Sequence, residues 1–126
     1  MTAVENENKA LVARIYAEMW NEGDVALAQD IFAHPEGVQR FLAEFLQAFP
    51  DLHHSVEEII AEGDRVVAHF SARGTHTGQW KLFAPTGKPV QYNGVTIAQV
   101  EGGKIVRHHP WWDALELVRQ ISGENI

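Results

Sequence analysis

Near residue 52 the spacing of apolar side chains in this chain changes from a helical period to a two-residue period. That change restricts the chain to folds in which helices precede a sheet. Before it, three segments repeat apolar residues every three or four positions. The first, residues 9–20, carries Leu11, Val12, Ile15, Tyr16, Met19 and Trp20 on one broad face, with Asn6 or Asn8 as the expected cap. Gly23 ends it, and Asp24 caps a short second helix through Val25, Leu27, Ile31 and Phe32. His34-Pro35 separates that helix from a third, with the stripe Val38, Phe41, Leu42, Phe45, Leu46 and Phe49, which Pro50 terminates. After the change, residues 53–61, 65–75, 89–100 and 104–112 read as strands. Glu62-Gly63-Asp64 and Glu101-Gly102-Gly103-Lys104 are tight turns, and a longer loop over 78–89 contains the turn Ala84-Pro85-Thr86-Gly87. A last helix is expected over 114–121. The order is that of an α+β fold, an antiparallel sheet of about four strands with helices packed on one face. At 126 residues, 1–126 is read as a single domain whose core needs no disulfide or metal.

Two features of composition narrow the chemistry. The chain has no cysteine, which excludes disulfides, thiolate nucleophiles, iron–sulfur clusters and cysteine zinc sites. Its formal charge is -7, and only Lys104 and Arg107 lie close together, so nucleic acid is not an expected partner. Residues 1–9 are polar and acidic rather than signal-like, and no apolar run approaches the roughly 18 residues that span a bilayer. No membrane association and a cytoplasmic location are the resulting expectations.

Several stretches also resemble a known family as words. They are Phe49-Pro50-Asp51-Leu52, Ile60-Ala61-Glu62-Gly63-Asp64-Arg65-Val66-Val67 and Arg73-Gly74-Thr75-His76-Thr77-Gly78. Pro85-Thr86-Gly87-Lys88-Pro89-Val90, Gly103-Lys104-Ile105-Val106-Arg107-His108 and Trp112-Asp113-Ala114-Leu115 continue the series. With the corner Trp20-Asn21-Glu22-Gly23-Asp24 they resemble, in order and over most of the chain, the SnoaL-like polyketide cyclases of the NTF2-like superfamily. The resemblance implies a curved sheet wrapped around a conical pocket, closed by N-terminal helices, in a homodimer formed through the outer sheet face. It also implies intramolecular aldol chemistry without metal or cofactor. Two departures stand out. Only Ala33, His34 and Pro35 join the second and third helices, where relatives carry a dozen or so residues. The family's last strand often reads His-Trp-Asp, its Asp being the acid/base; the matching positions here are His108, His109 and Pro110.

An aldol cyclisation needs a base for the proton alpha to a carbonyl and donors for the enolate. A hairpin turning at Gly102-Gly103 sets residues whose numbers sum to about 205 opposite each other, placing Thr96 near 108–110. Alternation groups His108, Pro110 and Trp112 on one face, with His109 and Trp111 on the other. By the same rule Tyr92, Gly94, Thr96 and Ala98 share a face, as do Ala68, Phe70 and Ala72. These sets are assigned to the pocket because the family's Asp position has the parity of Pro110, and a one-residue slip would invert them.

His108 is the candidate general base, its alternative role being a half-buried strand residue bonded to a neighbouring backbone. Tyr16 and Tyr92 are candidate enolate donors or amphipathic wall residues. Trp20, Phe70 and Trp112 would stack on a planar ligand or simply pack the core, and Thr96 lies among them. Asp113 reads as the N-cap of a capping box with Glu116. His53-His54 and His108-His109 are adjacent strand pairs that point to opposite faces, so neither chelates a metal; His69 could meet His108 across strands, without a carboxylate to complete a set. No metal and no cofactor are expected, and the expected ligand is a small, flat, hydrophobic or aromatic molecule. Three readings remain open. One is a cofactor-independent cyclase or isomerase acting on a planar ketone. Another is a binding module that has lost its acid/base at Pro110. The third is a dimeric interaction protein using Val67, Val95 and Ile97 on the outer sheet face.

Overall fold

Helix α1 (Ala3–Arg14) begins well before Lys9, because Thr2 and Glu5 form a capping box. The Glu5 amide donates to Thr2 Oγ1 at 3.1 Å, and the Thr2 amide donates to Glu5 Oε1 at 2.8 Å. Neither Asn6 nor Asn8 caps the helix, since both lie inside it; Thr2-x-x-Glu5 satisfies the first amides earlier. The structure, a computed structural model, describes residues 2–123. α1 continues as a π-helical stretch, Ile15–Trp20, in which the Asn21 amide reaches back five residues to the Tyr16 carbonyl at 2.9 Å. Gly23, at φ +67°, reverses the chain in a conformation that side chains with a Cβ resist. Asp24 then caps a 3₁₀ turn (Val25–Leu27) by accepting from the Leu27 amide, and the turn runs into α2 (Ala28–Ile31). Pro35 stands at the N-cap of α3 (Glu36–Ala48), which buries Leu42, Phe45 and Ala48 and ends at Phe49, before Pro50.

The four strands, β1 (His53–Glu62), β2 (Arg65–Thr75), β3 (Pro89–Glu101) and β4 (Lys104–Trp112), form one antiparallel sheet in sequential order. It is an open, curved sheet, and the helices cover its concave side. β2 and β3 alternate buried and less buried residues along most of their length, as a sheet with one covered face requires. Two bulges break the ladder. Glu57 is the extra residue in β1, so His54 and Val56 before it share the inner face with Ile59 and Ala61 after it. Val106 is the extra residue in β4. Glu101↔Lys104 and Val100↔Ile105 follow the expected sum of 205, and beyond Val106 the pairs become Ala98↔His108 and Thr96↔Pro110.

The last helix, α4 (Ala114–Ser122), is capped by Asp113, whose carboxylate accepts from the Glu116 amide at 3.0 Å. It is fixed to β3 by a two-point clamp. Gln120 Oε1 accepts from the Gln91 amide, and Gln120 Nε2 donates to the Gln91 carbonyl, each at 2.7 Å. Among the described residues no helix is long and apolar enough to cross a membrane.

Candidate active-site cavity

The inner face of the sheet presents its side chains in four rows. His54, Ala72 and Tyr92 form the first, and Val56, Phe70, Gly94 and Trp112 the second. Ile59, Ala68, Thr96 and Pro110 form the third, and Ala61, Val66, Ala98 and His108 the last. Small residues alternate with large ones, and the π-helical stretch and α3 close over the hollow this leaves. The result is a cavity of about 220 Å³. Ile15, Tyr16, Met19 and Trp20 come to it from the π-helical stretch, and Gly37, Val38, Phe41 and Phe45 from α3. The sheet contributes His54, Phe70, Tyr92, Thr96, His108, Pro110 and Trp112.

All seven residues named from the sequence, Tyr16, Trp20, Phe70, Tyr92, Thr96, His108 and Trp112, therefore border one cavity. Phe70 lies against Gly94 so closely that a Cβ there would stand 2.4 Å from its ring, so glycine is what lets Phe70 lean across the second row. His69 does not meet His108: it pairs with Val95 and belongs to the outer face, whereas His108 lies on the inner one. Among the described residues no group of three or more His, Asp or Glu side chains could hold a metal ion.

Sequence reasoning missed His54 and the α3 wall. Phe41 and Phe45 read as a core stripe, and Phe45 does pack edge-on against Trp20, Tyr92 and Trp112. As adjacent strand residues, His53 and His54 suggest only a metal pair, which their opposite faces exclude. Alternation puts His54 on the same side as Val56, and only what packs opposite makes that the cavity side. His54 is 5% exposed, with the rings of Trp20, Phe70 and Tyr16 centred 4.9, 5.4 and 5.5 Å from its own. Its backbone is held at both polar groups by Asn21. The amide donates to Asn21 Oδ1 at 2.7 Å, and Asn21 Nδ2 donates to the carbonyl at 2.9 Å.

Burial sets the electrostatics. The Tyr16 hydroxyl donates to Thr96 Oγ1 at 2.5 Å, inside the wall. Burial pushes the Tyr16 phenol up to about 12 despite that bond, and pushes Tyr92 higher, with Tyr16 beside it adding to the effect. Both phenols stay protonated at neutral pH; Tyr16 gives its proton to Thr96, which leaves Tyr92 as the phenol that can donate to a ligand. The two histidines move the other way. Burial lowers His54 to about 3 and His108 to about 4, with His53 and His109 respectively contributing a smaller repulsion. Both imidazoles are neutral at pH 7, and each has a buried ring nitrogen without a hydrogen-bond partner, Nδ1 in His54 and Nε2 in His108. Among the described residues no carboxylate lines the cavity.

His108 also borders a neighbouring cleft, together with Phe32, His34, Gly37 and Val38. This is where the short 33–35 connection passes the edge of the sheet. Phe32 bridges Ile105 there, and the Ala33 amide donates to the Ile105 carbonyl at 2.9 Å.

The profile of the SnoaL-like polyketide cyclases matches residues 10–121. A search of curated protein sequences returns no match. Among solved structures, a proposed SnoaL-like polyketide cyclase from Jannaschia sp. CCS1 superposes with a TM-score of 0.91 at 23% identity, over 99% of this chain and 98% of that one. TsrD from Streptomyces laurentii superposes with a TM-score of 0.87 at 20% identity, over 98% and 99%. AclR, a proposed hydroxylase from Streptomyces galilaeus, gives 0.87 at 25% identity, over 97% of this chain and 85% of that one. The structural likenesses establish the NTF2-like fold, and that fold hosts more than one chemistry. With the profile spanning nearly the whole described chain, the protein belongs to the SnoaL-like polyketide cyclase family.

Proposed function

We propose that this protein is a cofactor-independent acid/base enzyme that enolises a planar hydrophobic ketone, as a cyclase by intramolecular aldol condensation or as an isomerase. The observation that carries this reading is a neutral imidazole, His108, on the wall of an apolar cavity that also holds protonated phenols. His108 is the base. It takes the proton alpha to the carbonyl, and the C–H electron pair moves into the enolate. The oxyanion receives a hydrogen bond from the phenol of Tyr92, the Tyr16 proton being donated to Thr96. The imidazolium then returns its proton, to another carbon in an isomerisation or to the new alkoxide after carbon–carbon bond formation. A low basicity is no obstacle, because a carboxylate base of pKa about 4.6 serves enolisation in ketosteroid isomerase. Trp20, Phe70 and Trp112 hold the ring system, and Thr96 orients the Tyr16 hydroxyl.

The test is exchange of the alpha protons of a bound aryl ketone with deuterated solvent, followed by NMR. Wild-type protein is expected to accelerate exchange, and His108→Ala to reduce it by about a hundredfold or more with binding little changed. Undiminished exchange in His108→Ala would sink the assignment. Saturable binding without exchange would favour the other reading, a binding module, for which the motivating observation is Pro110 in the cavity wall at the family's acid/base position. The protein is also proposed to form a homodimer through the outer sheet face, where Trp111 is 58% exposed beside the half-buried Val95.

A further inference from the structure

We propose that the cleft at the 33–35 corner is a second binding subsite, continuous with the cavity, which takes a linear alkyl chain ending in a carboxylate. The full ligand is then an aryl ketone that carries this chain on its carbonyl carbon. This rests on the reading of the cavity as a ketone site and narrows its substrate class. Continuity comes first. Gly37, Val38 and His108 line both the cavity and the cleft, so the two meet at a neck between the start of α3 and β4. Gly37 keeps the neck open, because a Cβ built on it would meet nothing within 4 Å. The 32–35 connection pairs with β4 at Ile105, and Val106, Arg107 and His108 line the cleft beyond that contact.

The walls of the cleft match a chain. Phe32 and Ile105 form a buried apolar floor, and Val38 and Val106 are half-buried, so they keep apolar surface for a chain to cover. The rim matches the end of the chain. Among the described residues, the polar side chains lining the cleft beyond the neck are His34 and Arg107, both exposed, and no acidic side chain lines it. Arg107 makes no ion pair among the described residues. On a protein of net charge -7, a cleft of that composition favours an anion. A carboxylate matches the planar fork of a guanidinium, and at the rim it keeps its water while the chain lies on the floor. The neck also places the chemistry. In an aryl alkyl ketone the carbon alpha to the carbonyl is the first methylene of the chain. With the ring system in the cavity and the chain in the cleft, that carbon passes through the neck beside His108. Phe32 packs edge-on against His108, ring centroids 5.1 Å apart, and holds the imidazole at this position.

The experiment titrates the full chain with acetonaphthone, a naphthoylpentanoic acid and the methyl ester of that acid, following tryptophan fluorescence. The ester is expected to bind about tenfold more tightly than acetonaphthone, from its chain, and the acid about threefold more tightly than the ester, from its charge. Gly37→Leu, which fills the neck, is expected to bring the ester down to the affinity of acetonaphthone, with acetonaphthone itself unchanged. Arg107→Gln is expected to abolish the advantage of the acid over the ester and to leave the ester unchanged. Should Gly37→Leu fail to fold, intermolecular NOEs in wild-type protein decide: the chain methylenes of the ester reach the methyl groups of Val106. An ester that binds no more tightly than acetonaphthone, a chain advantage that survives Gly37→Leu, or an acid advantage that survives Arg107→Gln would each overturn the proposal. So would no binding of any of the three, or no NOE from the chain to Val106. Because every readout is binding, loss of deuterium exchange with the chain preference intact overturns the catalytic reading and leaves this one standing. Exchange at the acetonaphthone methyl without any chain preference does the reverse.

Discussion

Four ionisable side chains give the cavity its character, and each is tuned by loss of water rather than by an opposing charge. Tyr16 and Tyr92 are held protonated and His54 and His108 neutral by the same apolar surroundings. This has a consequence for stability. Unfolded, a histidine titrates near 6.5; folded, His54 and His108 resist protonation until about 3 and 4. The unfolded chain therefore binds more protons in between. The stabilisation is fully present above pH 6.5 and is lost as pH falls through that window toward the folded values. His76, fully buried and also lowered by burial, adds in the same direction. Thermal melts are expected to show a falling midpoint from pH 6.5 to 4, and His108→Phe is expected to flatten the slope. The contribution per histidine is on the order of a few kcal/mol. A midpoint independent of pH over that range would contradict the burial of neutral imidazoles.

At the scale of elements, two single-residue bulges decide which side chains reach the cavity. Without Val106 as an extra residue, the turn register would carry on at a sum of 205 and set His109, not Pro110, opposite Thr96. The bulge lets Ile105 and His108, of opposite parity, both face inward. Deleting Val106 removes the bulge while leaving 107–112 against the same partners, so fold and ligand quenching are expected to survive at a cost of about 1–2 kcal/mol. Deleting His109 leaves His108 in place but turns Pro110 and Trp112 to the outer face, and ligand quenching is expected to disappear. Equal behaviour of the two deletions in the fluorescence titration would show that register does not control the site. The π-helical stretch acts similarly on the helical side, where its wider turn helps bring Ile15, Tyr16, Met19 and Trp20 all to the cavity wall.

For the molecule as a whole, the sheet divides labour between its faces. The concave face carries the cavity, and the outer face carries Ile60 and Trp111, both more than half exposed, around the half-buried Val67, Val95 and Ile97. An apolar strip of this kind in the middle of a sheet favours association. In sedimentation velocity the proposed homodimer is expected to appear at micromolar concentration, and Trp111→Glu to shift it to monomer. A wild-type protein that sediments only as a monomer would remove the dimer from the account.

Much of this architecture was legible in the residues. The change of apolar period, the glycine and proline punctuation and the Asp24 and Asp113 caps located the elements, because those signals act within a few residues and need no partner. Helix α1 starts before Lys9, because the capping box at Thr2 and Glu5 precedes the apolar stripe and needs no apolar face. Face assignment came out as expected, and all seven named residues reached one cavity. It held only because an unforeseen bulge at Val106 shifts the register away from the simple hairpin count. His54 and the α3 wall were out of reach for a related reason. Which of two adjacent histidines faces a cavity, and which apolar stripe lines a hollow rather than filling it, depend on what packs opposite. Only the folded chain brings Asn21, Phe45 and the rows of the sheet together to settle that.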